Sequence, residues 1–408
     1  MEKNFDMFSP LPDSLHQFII SLLPYKEAAR TSILSKQWFE TWRKTKKIYV
    51  EFDELFFVKT GESDESKEAR RRDFLNFITH QISHNRNHFL DKFSLRVSHP
   101  ESCHDIIESC VAFATRRGVK EFSLDFSNPN WNENNFDDHE VVVQLPQYVY
   151  ELGSLLESLK LYSCGFSMPH MLNFRSMKEI SLGWIEISDA TLRTLLHTCK
   201  TLRNLSLKKC RKLESFEMGL EKLGLKRLVI DKCEFEYNEI YFDAPNLEFF
   251  KYSGGVWTSD ININRDVMEE AEIDFPYEFE PKFNEYGDEL YTILSDFYPV
   301  RVLTVCSVLL QDYEPPYNID LQKFWVRPMF PTPECLTKTL KVVEIKNCAG
   351  TLNEIKACKY LIRVGKVLEE LNINVRKDEH EGTRLEVMAE NLPRFSRASE
   401  NLKIFIIA

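Results

Sequence analysis

Apolar residues recur along most of the chain in the order L-x-x-L-x-L, where L stands for any aliphatic or aromatic residue. From residue 156 to residue 268 the copies begin 21 to 25 residues apart. Alternation of apolar and polar positions predicts strands with one buried face. Wider gaps, such as the 40 residues between Val300 and Leu340, require insertions. The copies begin at Leu90, Val119, Leu156, Met177, Leu202, Leu225, Leu247, Val300, Leu340, Leu368 and Leu402, with a weaker copy at Met268.

Several segments between the predicted strands have a helical pattern. Ser188 can cap a helix whose apolar side carries Leu192, Leu195, Leu196 and Cys199. An alternation of strand and helix predicts a parallel sheet with helices on one side. An earlier segment has the same pattern, with Gly118 as its stop, at Ile106, Ile107, Cys110, Phe113 and Ala114.

A period of 20–29 residues with strand and helix in each unit is typical of leucine-rich repeats, which stack into a curved solenoid. The predicted fold class is α/β, with parallel strands on the concave side and helices and loops on the other. Cys164, Cys210, Cys233 and Cys348 each stand eight residues after the first apolar residue of a copy, where a small buried side chain meets backbone groups. Stacking would place these thiols in a row, so they are not expected to surround one metal ion.

The residues between the buried strand positions should line the concave surface. They include both charge signs and small polar groups, which suits a partner or a small ligand in a groove; an ordinary solvated face is the alternative for each of them. The candidate target-binding residues are Arg96, Asp125, Tyr162, Lys208 and Asp231. The rest of this strip is Lys160, Ser181, Lys251, Glu344, Lys346, Asn372 and Asn374.

The N-terminal segment has a different pattern. Between Pro12 and Pro24, apolar residues follow one helical face at Leu15, Phe18, Ile19 and Leu22. A second short helix is predicted over 26–33, and a third from about residue 35 carries Trp38 and Trp42. So small a unit encloses little core, and its excess of apolar surface suggests a docking face. The pattern equally allows these residues to pack onto the rest of the chain.

The same residues resemble the F-box, which anchors substrate receptors to the Skp-type adaptor of cullin–RING ubiquitin ligases. The resemblance runs without gaps through "LPDSL", "IISLLP" and "AARTSILSKQW" to Trp42, and is greatest to the plant F-box/leucine-rich-repeat group. Gln37 replaces a common Arg. The resemblance implies that the adaptor is contacted by Leu11, Pro12, Leu15, Ile19, Ile20, Leu23 and Pro24.

The remaining segments complete the expected domain organisation. Residues 1–48 would form the F-box helical module. Residues 49–89 would form a helical connector, whose amphipathic helix carries Phe74, Phe77, Ile78 and Ile82. The leucine-rich-repeat solenoid would cover 90–334, with an acidic, aromatic and proline-bearing insertion near 272–334.

The C-terminal segment, 335–408, resembles the FBD region of many plant F-box/leucine-rich-repeat proteins. The resemblance is carried by "CLTKTLKVVEIKNCAGTLNEIKACKYLIRVGKVLEELNINV". Its pattern predicts a strand to Ile345, a turn at Gly350 and a strand from Leu371 to Val375. Between the turn and the second strand it predicts a helix whose apolar side carries Leu352, Ile355, Tyr360, Leu361 and Val364.

Composition restricts the partners and the compartment. The net charge is −11, which argues against an extensive nucleic-acid surface because phosphate binding needs clustered Lys and Arg. Arg70 to Arg72 is interpreted as a solvated helix face, with a nuclear import signal as the alternative. No secretory signal or membrane-spanning run is expected. Ten cysteines without CxxC spacing indicate a reducing compartment, cytoplasmic and/or nuclear.

The common catalytic and phosphate-binding motifs are absent from the sequence. His80, His84 and His88 have the spacing of one helix face and could hold a metal through two neighbours, but no carboxylate or cysteine obviously completes the set. We therefore predict no metal and no cofactor. No cysteine has an evident basic partner, so no catalytic residue is assigned.

Together these features predict the non-catalytic substrate-recognition subunit of an SCF-type cullin–RING E3 ubiquitin ligase. The F-box would bind the Skp-type adaptor, and through it a cullin, while the repeats bind an unidentified target protein. The alternatives are an interaction scaffold that does not assemble into a ligase and a small-ligand sensor.

Overall fold

A computed structural model describes residues 10–23, 25–44, 49–58, 61–84, 90–128, 143–145, 149, 155–166, 174–220, 223–237, 239–255, 258–264, 267–275, 297, 299–306, 332–377 and 381–407. The chain divides into two compact units. Unit 1 comprises Met1–Glu186 with His197–Thr201, and unit 2 comprises Ile187–Leu196 with Leu202–Ala408.

Unit 1 begins with the three predicted helices, α1 (Asp13–Leu22), α2 (Tyr25–Thr31) and α3 (Lys36–Lys44). Their small core consists of Ile20, Ala28 and Trp38. The His16 ring packs 4.5 Å from that of Trp38. Helix α2 ends two residues before the predicted boundary at Ile33, which lies in the turn between α2 and α3. The three-helix prediction is confirmed.

In the described ranges, the rest of unit 1 is a parallel sheet with two α-helices. Its strands are β1 (Tyr49–Asp53), β2 (Lys92–Arg96), β3 (Glu121–Asp125), β4 (Ser158–Tyr162) and β5 (Glu179–Gly183), paired in that order. The helices are α4 (Asp64–His84) and α5 (His104–Thr115). Phe93 of β2 stacks on Phe122 of β3 with ring centroids 5.8 Å apart, because the parallel register places these two residues side by side.

Strand β1 lies in the segment that was expected to be a helical connector. It pairs with β2 and buries Val50 and Phe52, so the sheet begins before the first predicted copy. Helix α4 confirms a helix in this segment and buries Phe74 and Ile78, whereas Phe77 is exposed.

Unit 2 contains a second parallel series. Its strands are paired in the order β6 (Asn204–Lys208), β8 (Arg227–Asp231), β10 (Phe249–Ser253), β12 (Glu270–Asp274), β13 (Val302–Cys306), β14 (Val342–Cys348), β15 (Glu370–Val375) and β16 (Lys403–Ile407). The described helices are α6 (Asp189–Thr198, all but its last two residues in this unit), α7 (Glu334–Lys338), α8 (Leu352–Val364) and α9 (Glu381–Asn391).

Every predicted copy of the apolar pattern is a strand. Each strand begins two residues after the first apolar residue of its copy, except β16, which begins one residue after Leu402. The alternation is confirmed as well. In β6, for example, Leu205 and Leu207 are 1% and 0% exposed, while the residues on either side of Leu207 are half-buried.

A repeated turn follows several strands. Ser163, Lys209 and Lys232 have φ values of 51–57°, in the left-handed region. Each donates its N–H to a carbonyl at the end of the next strand over 2.6–2.8 Å. Left-handed backbone is unfavourable for these residue types, and the inter-strand hydrogen bonds offset this cost. The turn carries the following cysteine inward, and Cys164, Cys210, Cys233 and Cys348 are all buried as predicted.

A second, three-stranded parallel sheet was not predicted. It is formed in unit 2 by β7 (Phe216–Gly219), β9 (Glu239–Ala244) and β11 (Thr258–Ile263), in the order β11-β9-β7. Phe242 of β9 packs against Phe216 of β7 and Phe250 of β10, with centroids 6.2 and 5.2 Å apart. Strands therefore occupy places where helices or loops were expected. Most of the predicted insertion near 272–334 lies outside the described residues.

The C-terminal segment has the predicted order of strand, turn, helix and strand. Gly350 has a φ of 72°, and Thr351 caps α8. The Thr351 hydroxyl accepts from the Glu354 N–H at 3.3 Å, and the Glu354 carboxylate accepts from the Thr351 N–H at 2.7 Å. Glu354 also accepts from the Ala349 N–H at 3.1 Å. Leu352, expected on the apolar side of the helix, is 65% exposed in its first turn.

The capping box generates a prediction about local stability. Replacing Thr351 by Ala removes the acceptor for the Glu354 N–H, so the free energy of opening of α8 should fall by about 1 kcal/mol. Hydrogen exchange of the α8 amides in the full chain measures this. Thr351→Ser keeps the hydroxyl and should preserve protection; equal loss in both variants would contradict a capping role.

Candidate functional site

Helix α1 presents two different faces. Its inner face contributes His16 and Ile20 to the core of the helical module, with 0% and 3% exposure. On the other face, Leu15, Phe18 and Leu22 are 46%, 58% and 68% exposed. These three are spaced i, i+3 and i+7, so they form one stripe. Helix α1 is thus apolar on both sides, and the module covers one of them.

The turn between α2 and α3 adds two more exposed apolar side chains. Ile33 is 83% exposed and Leu34 is 68% exposed. Their N–H groups donate to the carbonyls of Arg30 and Thr31 at 3.1 and 3.0 Å, which closes the turn and holds both side chains outward. We call Leu15, Phe18, Leu22, Ile33 and Leu34 the exposed apolar set of the helical module.

The expected adaptor contacts coincide with this set only in part. Pro12 and Leu15 are exposed, and Leu11, Ile19 and Leu23 are half-buried. Ile20 differs from the other expected contacts in that it is buried with Ala28 and Trp38 in the core, and Pro24 lies outside the described residues. Five exposed apolar residues of the module were not assigned as contacts: Phe18, Leu22, Ile33, Leu34 and Phe39. The helical spacing of Phe18 and Leu22 was the available signal.

Gln37, the departure from the F-box pattern, has a structural partner. Its side-chain amide donates to the Asp13 carboxylate at 3.3 Å, which connects the first turn of α3 to the first turn of α1. The Ser35 hydroxyl accepts from the Trp38 N–H at 3.2 Å, as a helix cap does. These contacts help to hold α3, and hence Trp38, against α1.

The polar strip of unit 1 contains three of the candidate target-binding residues in one row. The strand register aligns Arg96 with Asp125 and Asp125 with Tyr162, and all three are half-buried. Arg96 Nε lies 3.3 Å from Asp125 Oδ2. The structure therefore brings together residues that are 66 positions apart in the chain.

Tyr162 lies over a glycine that the repeat pattern did not single out. Its hydroxyl is 2.7 Å from the Ser181 hydroxyl. A Cβ added to Gly183 would come within 2.3 Å of the Tyr162 ring. Gly183 therefore allows the aromatic ring to lie flat across β5. Lys160, in the neighbouring row, pairs with Glu179 at 2.9 Å.

The polar strip of unit 2 is a network of opposite charges. Lys208 and Asp231 are neighbours in register. Glu272 lies 2.5 Å from Lys251 and 4.0 Å from Lys346. Burial by itself would raise the pKa of Glu272, but the hydrogen bond and charge of Lys251, with the charge of Lys346, outweigh it and lower the pKa.

Further along the same strip, Glu344 accepts hydrogen bonds from Asn374 at 2.6 Å and from Thr304 at 3.4 Å. Glu272 was not assigned to the strip because its copy of the pattern, "MEEAEI", is weak. Its position in that copy, equivalent to Lys251 in the previous one, was the signal that could have identified it.

The cysteines are poorly suited to nucleophilic chemistry. All ten are buried. Burial raises the pKa of Cys103 to about 11 and that of Cys199 to about 12, which disfavours the reactive thiolate. Across the ranges that the structure describes, no group of three His, Cys, Asp or Glu residues is placed to hold a metal ion. No helix in the same ranges is long and apolar enough to cross a membrane.

Models of known protein families match three segments of the chain. The F-box domain matches residues 8–48. The domain described as "At1g61320/AtMIF1, LRR domain" matches residues 84–272. The FBD matches residues 331–373. The resemblances at the two ends of the chain and in the repeats are thereby confirmed.

Proteins of Arabidopsis thaliana are similar over most of the chain. The chain is 33% identical over 427 residues to the putative F-box/LRR-repeat protein At1g56400, covering 88% of this chain and 87% of that one. It is 26% identical over 462 residues to the putative F-box/LRR-repeat protein At5g54820, covering 96% of each. It is also 26% identical over 470 residues to the F-box protein At3g62230, covering 98% of each.

The buried thiols generate a prediction about reactivity. Because all ten thiols are buried, the native chain should react slowly with a thiol-specific disulfide reagent at mildly alkaline pH. Unfolding in denaturant should release ten fast-reacting thiols. Absorbance of the released chromophore measures both phases. A single fast, stoichiometric reaction in the native chain would reveal an activated cysteine and contradict this assignment.

Proposed function

Since the chain belongs to the F-box/LRR-repeat family, we propose that it is the substrate-recognition subunit of an SCF-type cullin–RING E3 ubiquitin ligase. The helical module binds a Skp-type adaptor, which connects the chain to a cullin, and the repeats bind a target protein. The chain supplies binding and no chemistry. Ubiquitin transfer follows from holding the target close to a charged conjugating enzyme, which raises its effective concentration.

The exposed apolar set of the helical module is the observation that carries the proposal. Six large apolar side chains, this set and Phe39, are exposed in a unit whose described core has three buried apolar residues. Covering one Leu, Ile or Phe side chain contributes about 1.5–3 kcal/mol. Several such contacts can outweigh the cost of ordering two proteins in a complex. A partner that covers this set is therefore the simplest reason for its exposure.

The helical core supports the same role by positioning the exposed side chains. Ile20, Ala28 and Trp38 join the three helices, and the half-buried Ile19 and Leu23 pack against them. We assign Ile20 to this supporting core. Direct adaptor contact is assigned to Leu11, Pro12, Leu15, Ile19, Leu23 and Pro24 from the family resemblance, and to Phe18, Leu22, Ile33 and Leu34 from their exposure.

The polar strips are the proposed target-binding surfaces. Their charges are paired within the strip, as in Arg96 with Asp125 and Lys251 with Glu272. A target that covers the strip must offer charged groups that pair with these side chains as well as they pair with each other. A target without such groups leaves a charge buried and unpaired in the complex, which costs about 2–5 kcal/mol. Such a surface suits selective recognition of one target.

The adaptor assignment is tested by charge substitutions on the exposed apolar set. Leu15→Asp and Ile33→Asp should each weaken binding to a purified Skp-type adaptor at least tenfold, equivalent to about 1.4 kcal/mol, because a carboxylate cannot be buried there. Isothermal titration calorimetry measures the affinity. The control Ser14→Asp adds the same charge at a neighbouring exposed position and should bind within about twofold of the parent.

Circular dichroism of each variant separates lost binding from lost folding. Adaptor affinity that is unchanged in both Leu15→Asp and Ile33→Asp, with the helices intact, would show that this set is not the adaptor surface. The scaffold interpretation would then be favoured.

The target assignment is tested on the row in unit 1. The double variant Arg96→Ala/Tyr162→Ala should lose target cross-links detected by mass spectrometry after proteasome inhibition, with adaptor binding unchanged. The control Lys120→Ala removes a side chain that is paired with Asp91 outside the row. An identical set of cross-linked proteins in parent and double variant would exclude this row from target binding.

A further inference from the structure

The last two turns of α4 carry two histidines side by side. His80 and His84 are both exposed. Their ring centroids lie 4.1 Å apart, and the ring planes are inclined by 19°. The residues are four positions apart in one continuous helix, so both side chains lie on the same face.

One ring is oriented by a hydrogen bond to the backbone. His84 Nδ1 lies 2.9 Å from the carbonyl oxygen of His80. A carbonyl only accepts, so Nδ1 carries the proton and donates it. The lone pair of neutral His84 is therefore on Nε2, the atom that points away from the backbone. A backbone carbonyl that orients a histidine through its other nitrogen is a recurrent feature of metal-ligating histidines.

The spacing allows both rings to share one ion. Bonds from zinc to a histidine nitrogen are about 2.0–2.1 Å long, so two nitrogens on one ion lie within about 4 Å of each other. The ring centroids are already 4.1 Å apart, so both rings come within reach of one ion once the side chains rotate to point a nitrogen of each at it. Two histidines at i and i+4 on one helix face are also the arrangement that binds zinc in the HExxH motif.

The position at the helix end favours a cation. Helix α4 ends at His84, and the last carbonyl groups of a helix have no partner within it and carry partial negative charge. On the same face of α4, the nearest basic residue is Arg72. It lies eight residues before His80, which is about 12 Å along the helix axis. Of its neighbours, Arg70 is paired with Glu62 and Arg71 with Glu54.

We propose that His80 and His84 form a binding site for a divalent late transition-metal ion, with imidazole ligands and water in the remaining positions. Imidazole suits Cu²⁺, Ni²⁺ and Zn²⁺, and affinity at such sites is greatest for Cu²⁺. From the sequence the same histidines were set aside because a third protein ligand was required. An exposed, water-completed site does not need one. A bound ion would tie together the last two turns of α4 and stabilise the end of this helix.

The test uses the full chain without a histidine tag. His88 lies outside the described residues and has the same spacing from His84, so it is replaced by Ala in every protein compared. Titration with Cu²⁺ should show one equivalent bound, with nitrogen ligation in the electron paramagnetic resonance spectrum. His80→Ala and His84→Ala should each weaken binding at least tenfold.

Control variants and hydrogen exchange distinguish binding at His80 and His84 from copper binding elsewhere on the chain. The matched controls His104→Ala and His197→Ala remove histidines from other helices and should leave the affinity unchanged. Hydrogen exchange at the end of α4 should slow when Cu²⁺ or Zn²⁺ is added, and only in proteins that retain both His80 and His84. Affinity unchanged in His80→Ala or in His84→Ala, or equal losses in the two controls, would overturn the site.

Discussion

Parallel pairing of one strand with the next is the constraint on which the rest of the structure depends. Within each unit, a strand buries its inner apolar side chains against the strands that precede and follow it. Leu228 and Ile230 in β8 are fully buried in this way. The pleat then turns the intervening residues to the other face. The register of the parallel strands also decides which polar residues are neighbours. Arg96, Asp125 and Tyr162 form a row for this reason, although they are far apart in the sequence.

The helical module and the repeats offer two chemically different surfaces. The module exposes large apolar side chains over a core of three buried apolar residues. Apolar burial is strong but weakly directional, which suits a partner shared by many related proteins. The strips expose charges already paired with one another, and complementary charge contributes more to specificity than to affinity. In the proposed receptor role, adaptor attachment and target selection would thereby be separated along one chain.

The strands from β2 to β16 that form the main series were predictable because each of them has its own copy of the pattern. Strand β1 was not predicted, because Lys47 stands where a copy requires its first apolar residue, although Val50 and Phe52 occupy the other two positions and pair with β2. The sheet of β7, β9 and β11 was missed for another reason. Its strands are four to six residues long and lie between the copies, and their pairing depends on the stacking of the main strands. The sequence was enough to propose the helical module and most of the strip as candidate sites, but it did not show which of their side chains are exposed.

The sequence by itself determined the number and spacing of the predicted strands, the alternation of their faces and the resemblance of the N-terminal segment to an F-box. Each of these features can be read from residues a few positions apart. Such residues lie in the same helix or strand, so their relation does not depend on the tertiary contacts of that element. Only the tertiary structure decided that Ile20 is buried while Leu22 and Ile33 are exposed. Helix α1 has apolar residues on both faces, and the spacing of Leu15, Phe18 and Leu22 marks one stripe without showing whether the module covers it. The packing of α3 and its Trp38 against one face of α1 makes that choice.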